Sequence, residues 1–482
     1  MTKFFIDQHG CAKNQTDGEL IIGYLCKNGF EFTTNPDEAQ FIIINSCGFI
    51  ESAKKESIDA IYNIRKAYPD AKIVLTGCLA QRYADVFSES IPELDGIFGN
   101  GDLSKIAEFM NSVSNSDKGE RVPTRTYPQE GVCGGNRPLL YNFPGTAFVK
   151  ITEGCSNHCS FCAIPLIRGE LRSRPEKEII DEIKELLSSG VYEFNLIGQD
   201  LAAYGTEKGF SYDFDNDDRL SPLANLMNEI SKISGDFRVR LLYIHPDHFN
   251  KDILPIMKND SRFLRYFDIP FQSGDNKIIK AMNRTGSFET YVNIIETIRN
   301  ELPGAVFRTT FLTGFPGEDD TAAANTMAFL EAIKPQWSGC FPYSREEDTP
   351  AYNMKKRVPA KTAEMRAAAL EKKQSDITFQ KLESYVGQDI EVLIEEIIEN
   401  DAENASDVSE GLAIGRAWFQ APDVDGNVVV RYERDSQQED NDVKPGNVVK
   451  VKVLASTGVD LDARFLNKIK EFDNSFKGNF LL

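Results

Sequence analysis

Glu153-Gly-Cys155-Ser-Asn-His-Cys159-Ser-Phe-Cys162 sets three thiols within eight positions, directly after an apolar run that reads as a strand. The spacing is Cys-x3-Cys-x2-Cys. Structural zinc wants four ligands, and His158, lodged between the thiols, is the local candidate for the fourth. No other Cys or His follows until His245. Three thiolates suit a cubane iron–sulfur cluster with one iron left open to a substrate. Zinc and three buried structural thiols are the competing readings. The chain carries nine cysteines. Its N-terminus, Met1-Thr-Lys-Phe-Phe-Ile-Asp, is too short in apolar residues and acidic too early for a secretion signal. Metal or redox chemistry is therefore expected, not a disulfide framework.

Around this motif the sequence alternates strand and helix. Strands are predicted at 146–153, 193–198, 237–243, 266–269, 305–313 and 337–343. Helices are predicted near 176–189, 221–234, 247–258, 287–301 and 318–333. Six βα units make a partial (β/α)6 barrel over residues 141–378, with its active site at the C-terminal strand ends. Two segments end strands on that rim: Gly198-Gln-Asp200 and Thr310-Phe-Leu-Thr-Gly314-Phe-Pro-Gly317-Glu318. Glycine there lets a backbone approach a ligand closely, though a plain strand-to-helix turn explains it equally well.

Residues 1–115 read as a separate flavodoxin-like α/β domain with a parallel sheet. Its strands are Lys3-Phe-Phe-Ile-Asp7, Gln40-Phe-Ile-Ile-Ile-Asn45, Lys72-Ile-Val-Leu-Thr76 and Asp95-Gly-Ile-Phe-Gly99, with a helix at 51–68 closed by Pro69. Cys11, Cys47 and Cys78 share no local motif, yet each lies just past a strand. Loops after parallel strands share one sheet edge, so the three thiols can converge on a second cluster. Small buried cysteines at strand ends are the alternative. Cys26 and Cys340 are expected in the core, and Cys133 in a polar linker over 113–140. His9, His245 and His248 receive no role. After a charged helix to about 384, β-branched runs separated by turns predict a small all-β barrel over 381–460.

The chain has 54 basic and 74 acidic residues, a net charge of −20. Residues 381–482 hold 21 acids and 11 bases, a net of −10. A barrel gripping RNA phosphates would carry Lys and Arg instead. This one carries Glu395, Glu396, Glu399, Asp401, Glu403, Glu439, Asp440 and Asp442, which suits a basic partner. A merely solvated acidic face is the alternative. No apolar stretch is long enough for a membrane span, and a soluble cytosolic protein is expected.

The spacing of Cys155, Cys159 and Cys162, with Phe161 before the last, resembles the radical S-adenosylmethionine superfamily. That resemblance implies a 4Fe-4S cluster whose open iron binds S-adenosylmethionine. It makes Gly314, Gly317 and Glu318, and the rim Gly198, Gln199 and Asp200, candidate cofactor contacts. Three cysteines on an N-terminal domain, a radical core and a C-terminal TRAM-like (OB-like) barrel together resemble the methylthiotransferases. The family implies a second, auxiliary 4Fe-4S cluster on Cys11, Cys47 and Cys78, an external electron donor and a sulfur source. Gly10-Cys-Ala-Lys-Asn14, Asn45-Ser-Cys-Gly-Phe-Ile50, Gly77-Cys-Leu-Ala-Gln-Arg-Tyr83 and Cys162-Ala-Ile-Pro-Leu-Ile-Arg-Gly169 are similar to the branch that modifies an aspartate β-carbon on small-subunit ribosomal protein twelve. Pro270-Phe-Gln-Ser-Gly274 departs toward the branch acting on tRNA adenosine, where histidine is expected after Gln272 in the first. An adenosine methylthiotransferase is thus one alternative; a zinc or iron–sulfur RNA-binding or sulfur-carrier protein is another. No catalytic side chain is assigned.

Overall fold

The computed structural model describes residues 1–114, 122–127, 134–214, 217, 219–398, 410–433 and 442–472. The N-terminal sheet is parallel throughout. Its strand order is Phe30–Phe32, Thr2–Gln8, Phe41–Ser46, Lys72–Gly77, Gly96–Phe98 and Thr124–Arg125. Phe41–Ser46 is buried on both faces, as its isoleucine run requires of a central strand. The expected flavodoxin-like order is present, with an edge strand at each end that the sequence pattern did not reveal. One of these, Thr124–Arg125, falls in the stretch expected to be linker.

The rest of that linker is also tied down in part. Arg137 is buried, donates 2.6 Å to Glu19 of the N-terminal domain and reaches Glu182 of the core. Cys133 lies outside the described residues.

The central sheet is an open, six-stranded parallel half-barrel: Thr146–Lys150, Glu193–Ile197, Arg238–Leu241, Phe263–Asp268, Val306–Thr313 and Trp337–Pro342 in spatial sequence. Each predicted strand and helix of this unit has a counterpart, but two are shorter than expected. The helix predicted near 247–258 begins only at Ile253, after a short turn Pro246–His248. The strand predicted at 146–153 ends at Lys150, with Thr152–Glu153 pairing in a separate two-stranded sheet. Alternate residues serve opposite faces, as the pleat dictates. Ala147, Val149, Phe194, Phe267 and Phe307 pack outward against the helices. Phe148, Ile197, Leu242, Tyr266 and Val306 point inward and share a core with the C-terminal barrel.

That barrel is closed, in the order Asp389–Ile398, Glu410–Ala417, Val428–Glu433, Leu461–Lys470, Val448–Ser456. Its neighbours are antiparallel except the pair Val428–Glu433 and Leu461–Lys470, the single parallel pairing. Arg416 fixes the barrel to the core by donating 2.9 Å to Glu193, and is oriented within the barrel by Glu395 at 2.6 Å. Trp337 Nε1 donates to the Phe419 carbonyl at 2.8 Å, and Tyr266 to Asp425 at 2.6 Å.

Two expectations need correction. Cys26 is exposed, because it lies in the last turn of its helix, where the chain runs out to an exposed stretch over 26–29; Cys340 is buried as expected. Glu395 is not part of an acidic outer face. It is buried and paired with Arg416, because its strand turns it toward the core domain. Glu396, the next residue, points out and is exposed, while Glu399, Asp401, Glu403, Glu439 and Asp440 lie outside the described residues. Among the described residues no helix is long and apolar enough to cross a membrane.

Candidate active site

Cys11 precedes the helix Ala12–Lys27, Cys47 follows the strand Phe41–Ser46, and Cys78 opens the helix Cys78–Ser90. The parallel register pairs Gln8 with Asn45 and Ser46 with Gly77, so the three strand ends sit side by side. Close approach depends on glycine. A Cβ on Gly10 would stand 3.1 Å from Cys47 Cβ, and one on Gly48 2.8 Å from the Leu79 backbone. The three thiols therefore converge on one edge. Burial and the neighbouring Cys78 push the Cys47 thiol up to about 12. Burial also pushes at Cys11, but the Lys13 and Arg168 charges outweigh it and hold that thiol below its usual range. Arg168 Nη2 lies 3.3 Å from Cys78 Sγ, and Asn100 Nδ2 lies 3.8 Å from it. Buried oxygens of Asn14, Asn45, Thr76 and Asn100 on the same edge have no hydrogen-bond partner. Three thiols, a cationic donor and unpartnered polar atoms fit an anionic cluster better than a set of packed core cysteines.

The second triad occupies one loop. Cys155 N–H donates to Gly169 O and Cys162 N–H to Cys159 O, both at 3.0 Å. Burial, with the other thiols adding to it, pushes the Cys162 thiol up to about 12. His158 adopts a left-handed backbone (φ 47°), is half exposed and faces Glu170 at 3.4 Å, so it is turned to solvent and not to the thiols. His245 is the histidine that approaches: its Nε2 is 3.7 Å from Cys159 Sγ. Its Nδ1 accepts the Asp247 N–H at 3.2 Å, which leaves Nε2 as the protonated nitrogen facing sulfur. The sequence assigned His245 and His248 no role. The closely spaced Ile-His-Pro-Asp-His run after a strand was the one signal available.

Asp200 organises this rim. It accepts from His248 Nδ1 at 2.7 Å, Asn157 Nδ2 at 3.0 Å and the His245 N–H at 3.1 Å. Gln199 donates to Glu153 at 3.4 Å, and its Oε1 is buried without a partner. A Cβ on Gly198 would strike Thr152 Oγ1 at 2.1 Å. The other predicted loop is held from within. Glu318 Oε1 accepts the Gly314 N–H at 3.0 Å and Arg366 Nη1 at 2.8 Å. Gly314 has φ 76°, and a Cβ there would stand 2.3 Å from Ala363 Cβ, whereas Gly317 faces open space. Ser273, where histidine is expected, is buried and bonded to Thr326 at 3.2 Å; Gln272 before it lines the cavity.

A buried ion network fastens the two triads together. Asp17 of the N-terminal domain meets Lys150 at 2.5 Å and Arg168 at 2.9 Å; both cations also bind Glu153, at 2.6 and 2.7 Å. Between the domains lies a cavity of about 1190 Å³. It opens on Cys11 at one side and on Phe161, next to Cys162, at another; Arg308, Thr310 and Leu312 of the strand Val306–Thr313 form a wall.

The comparisons agree with this layout. Residues 3–99 match the uncharacterized protein family UPF0004, 149–330 the Radical SAM superfamily and 386–466 the TRAM domain. Among solved structures, a radical S-adenosylmethionine methyltransferase, TsrM, from Kitasatospora setae shares the fold at TM-score 0.52 and 14% identity, over 73% of this chain and 74% of that one. A ribosomal protein uS12 methylthiotransferase, RimO, of Treponema denticola is 53% identical over 95% of this chain and 99% of its own length. Its namesake from Desulforamulus reducens is 36% identical over 94% and 97%. The relatives carry the ribosomal-protein name despite the Gln272-Ser273-Gly274 departure, so the tRNA alternative is not favoured. Matched end to end at that identity, the chain belongs to the ribosomal protein uS12 methylthiotransferase family.

Proposed function

We infer that this protein inserts a thiomethyl group at the β-carbon of an aspartate on small-subunit ribosomal protein twelve, in the cytoplasm. The observation that carries the reading is an interdomain cavity that reaches Cys11 of one thiol set and Phe161, beside Cys162 of the other, in a chain of this family. Cys155, Cys159 and Cys162 would hold one 4Fe-4S cluster, and Cys11, Cys47 and Cys78 the auxiliary one. With S-adenosylmethionine bound, the first cluster would supply the radical chemistry that removes a hydrogen atom from an unactivated C–H bond, the second would supply sulfur, and a further S-adenosylmethionine would supply the methyl group.

The protein's own residues position and enclose. Asp200 fixes the His245 and His248 loop beside Cys159, and Glu318 closes the Gly314 turn, so the rim where the nucleoside would lie is rigid. Gln199, with its free buried oxygen, is the rim side chain best placed to accept from that nucleoside. The ion network of Asp17, Lys150, Glu153 and Arg168 holds the sulfur-bearing domain at a set distance from the radical domain. Phe49, Phe161, Leu242 and Phe341 supply apolar walls that exclude water from a reactive intermediate. Six carboxylates line the same cavity; Glu346 and Glu395 are paired with cations of the protein itself, and Glu51, Glu364 and Asp423, with Asp268, suit a basic protein segment. An external electron donor and a sulfur source complete the requirement.

The test offers purified ribosomal protein twelve and tRNA in parallel to anaerobically reconstituted enzyme, with mass spectrometry of both. A thiomethyl mass gain on an aspartate is expected. A gain on adenosine with none on the protein would overturn the reading.

A further inference from the structure

We propose that Arg308 recognises the carboxylate of the target aspartate; this rests on the reading just given. Among the described residues lining the interdomain cavity, Arg308 is the one cation, set against six carboxylates, of which Glu346 and Glu395 are already paired with Lys54, Arg82 and Arg416 behind the wall. A basic protein segment is drawn to such walls through its own cations, but its reactive aspartate is repelled by them. Among the described lining side chains, the guanidinium is the one point of attraction for a carboxylate.

Its geometry is that of an unfinished partner. Arg308 stands on the strand Val306–Thr313, in register with Asp268 on the next strand, and both side chains face the cavity. Nη1 lies 3.6 Å from Asp268 and Nε 3.4 Å from Asp425. Neither contact is a well-formed hydrogen bond: Nε donates to no acceptor, and Asp425 Oδ1 accepts from none. Asp425 is committed elsewhere, accepting from Tyr266 at 2.6 Å and from the Ala421 N–H at 2.8 Å. The side chain is thus held by two flanking charges in a fixed orientation, with donor capacity to spare. A planar guanidinium binds a carboxylate through paired N–H donors. In aspartate the β-carbon is bonded directly to that carboxylate carbon. Anchoring the carboxylate on Arg308 therefore fixes the reacting methylene beside Thr310 and Leu312, further along the same cavity wall. It also rejects asparagine, whose neutral amide presents an N–H₂ toward a donor.

The experiment measures, for the anaerobically reconstituted enzyme, the Kd of ribosomal protein twelve with its target aspartate intact or replaced by Asn. The wild type should bind the Asp form about 30-fold more tightly, the size expected of a desolvated charge pair. Arg308→Gln should bind both forms alike, and Arg308→Lys should keep only part of the preference. Iron content and cluster absorption report whether each variant is loaded. A merely structural role would weaken both forms equally and leave their ratio intact. An Arg308→Gln or Arg308→Lys enzyme that keeps the full preference overturns the proposal, as does a wild type that binds both forms equally. Binding of neither form by the wild type, with adenosine modified instead, would sink the aspartate reading itself.

Discussion

The two thiol triads do similar chemical work on opposite structural terms. Cys155, Cys159 and Cys162 share one loop, whose shape is set locally by the bond from Cys162 N–H to Cys159 O and by the Gly169 carbonyl. Cys11, Cys47 and Cys78 come from three strand ends and meet only because the parallel register aligns those strands. A local site survives whatever leaves its loop intact. A dispersed one depends on the packing of its entire domain. The two are joined at Arg168, just after the local triad in sequence, which touches Cys78 of the dispersed one at 3.3 Å.

The sharpest separation comes from removing each triad. Cys155, Cys159 and Cys162 changed together to Ala should abolish S-adenosylmethionine cleavage and remove about half of the iron, since one of two equal 4Fe-4S clusters is lost. Cys11, Cys47 and Cys78 changed together to Ala should remove the other half and all methylthiolation, yet leave cleavage. Iron analysis with a 5′-deoxyadenosine assay checks both; stoichiometric zinc in place of iron would break the comparison.

Arg168→Met tests the joint between them. It leaves two buried carboxylates, Asp17 and Glu153, sharing Lys150 as their one cation, at a cost of up to about 3–5 kcal/mol. Denaturant unfolding of the apoprotein should show it, with greater loss of iron from the dispersed site than from the local one. Equal loss from both would mean that Arg168 does not favour the domain carrying Cys78.

Acid should loosen the barrel's dock on the core. Glu193 is buried, which alone would raise its carboxyl, but Arg416 and Arg240 prevail and depress it from 4.5 to about 2. A depressed carboxyl contributes stability fully above its unfolded value, and loses it as pH falls through the folded one. The contribution is therefore lost between about pH 4.5 and 2. Glu193→Gln should flatten that limb of a stability–pH curve; an unchanged limb would place the acid sensitivity elsewhere.

The smallest effect belongs to the surface. Glu396→Lys should raise the Michaelis constant for the protein substrate about twofold at low salt and less at physiological salt, where the Debye length is about 8 Å. Glu395→Lys, one residue earlier, should instead destabilise the docked barrel, because that carboxylate is buried against Arg416. Similar behaviour of the two variants would contradict the assigned faces.

Strand and helix alternation was readable because a parallel sheet buries both faces and its strands become unbroken apolar runs, as in Phe41–Ser46. The edge strands Phe30–Phe32 and Thr124–Arg125 were not, being too short to show a period. The local triad was legible as spacing, and the dispersed one only as three cysteines in equivalent places after strands. His245 carried only the weak signal of a second histidine three residues on, and the partners of Arg308 and Arg168 carried none. A buried charge looks like a surface charge in sequence, and its partners lie far along the chain, as Lys150 and Asp17 do.

By itself the sequence determined the thiols, the order of the elements and the balance of charge, because these rest on residue type and short-range period. Only the tertiary structure decided which acids face solvent and which face Arg416, which histidine meets Cys159, and that among the described residues a single arginine lines the interdomain cavity. Those outcomes follow from strand register and domain docking, where a shift of one residue exchanges the buried face for the exposed one.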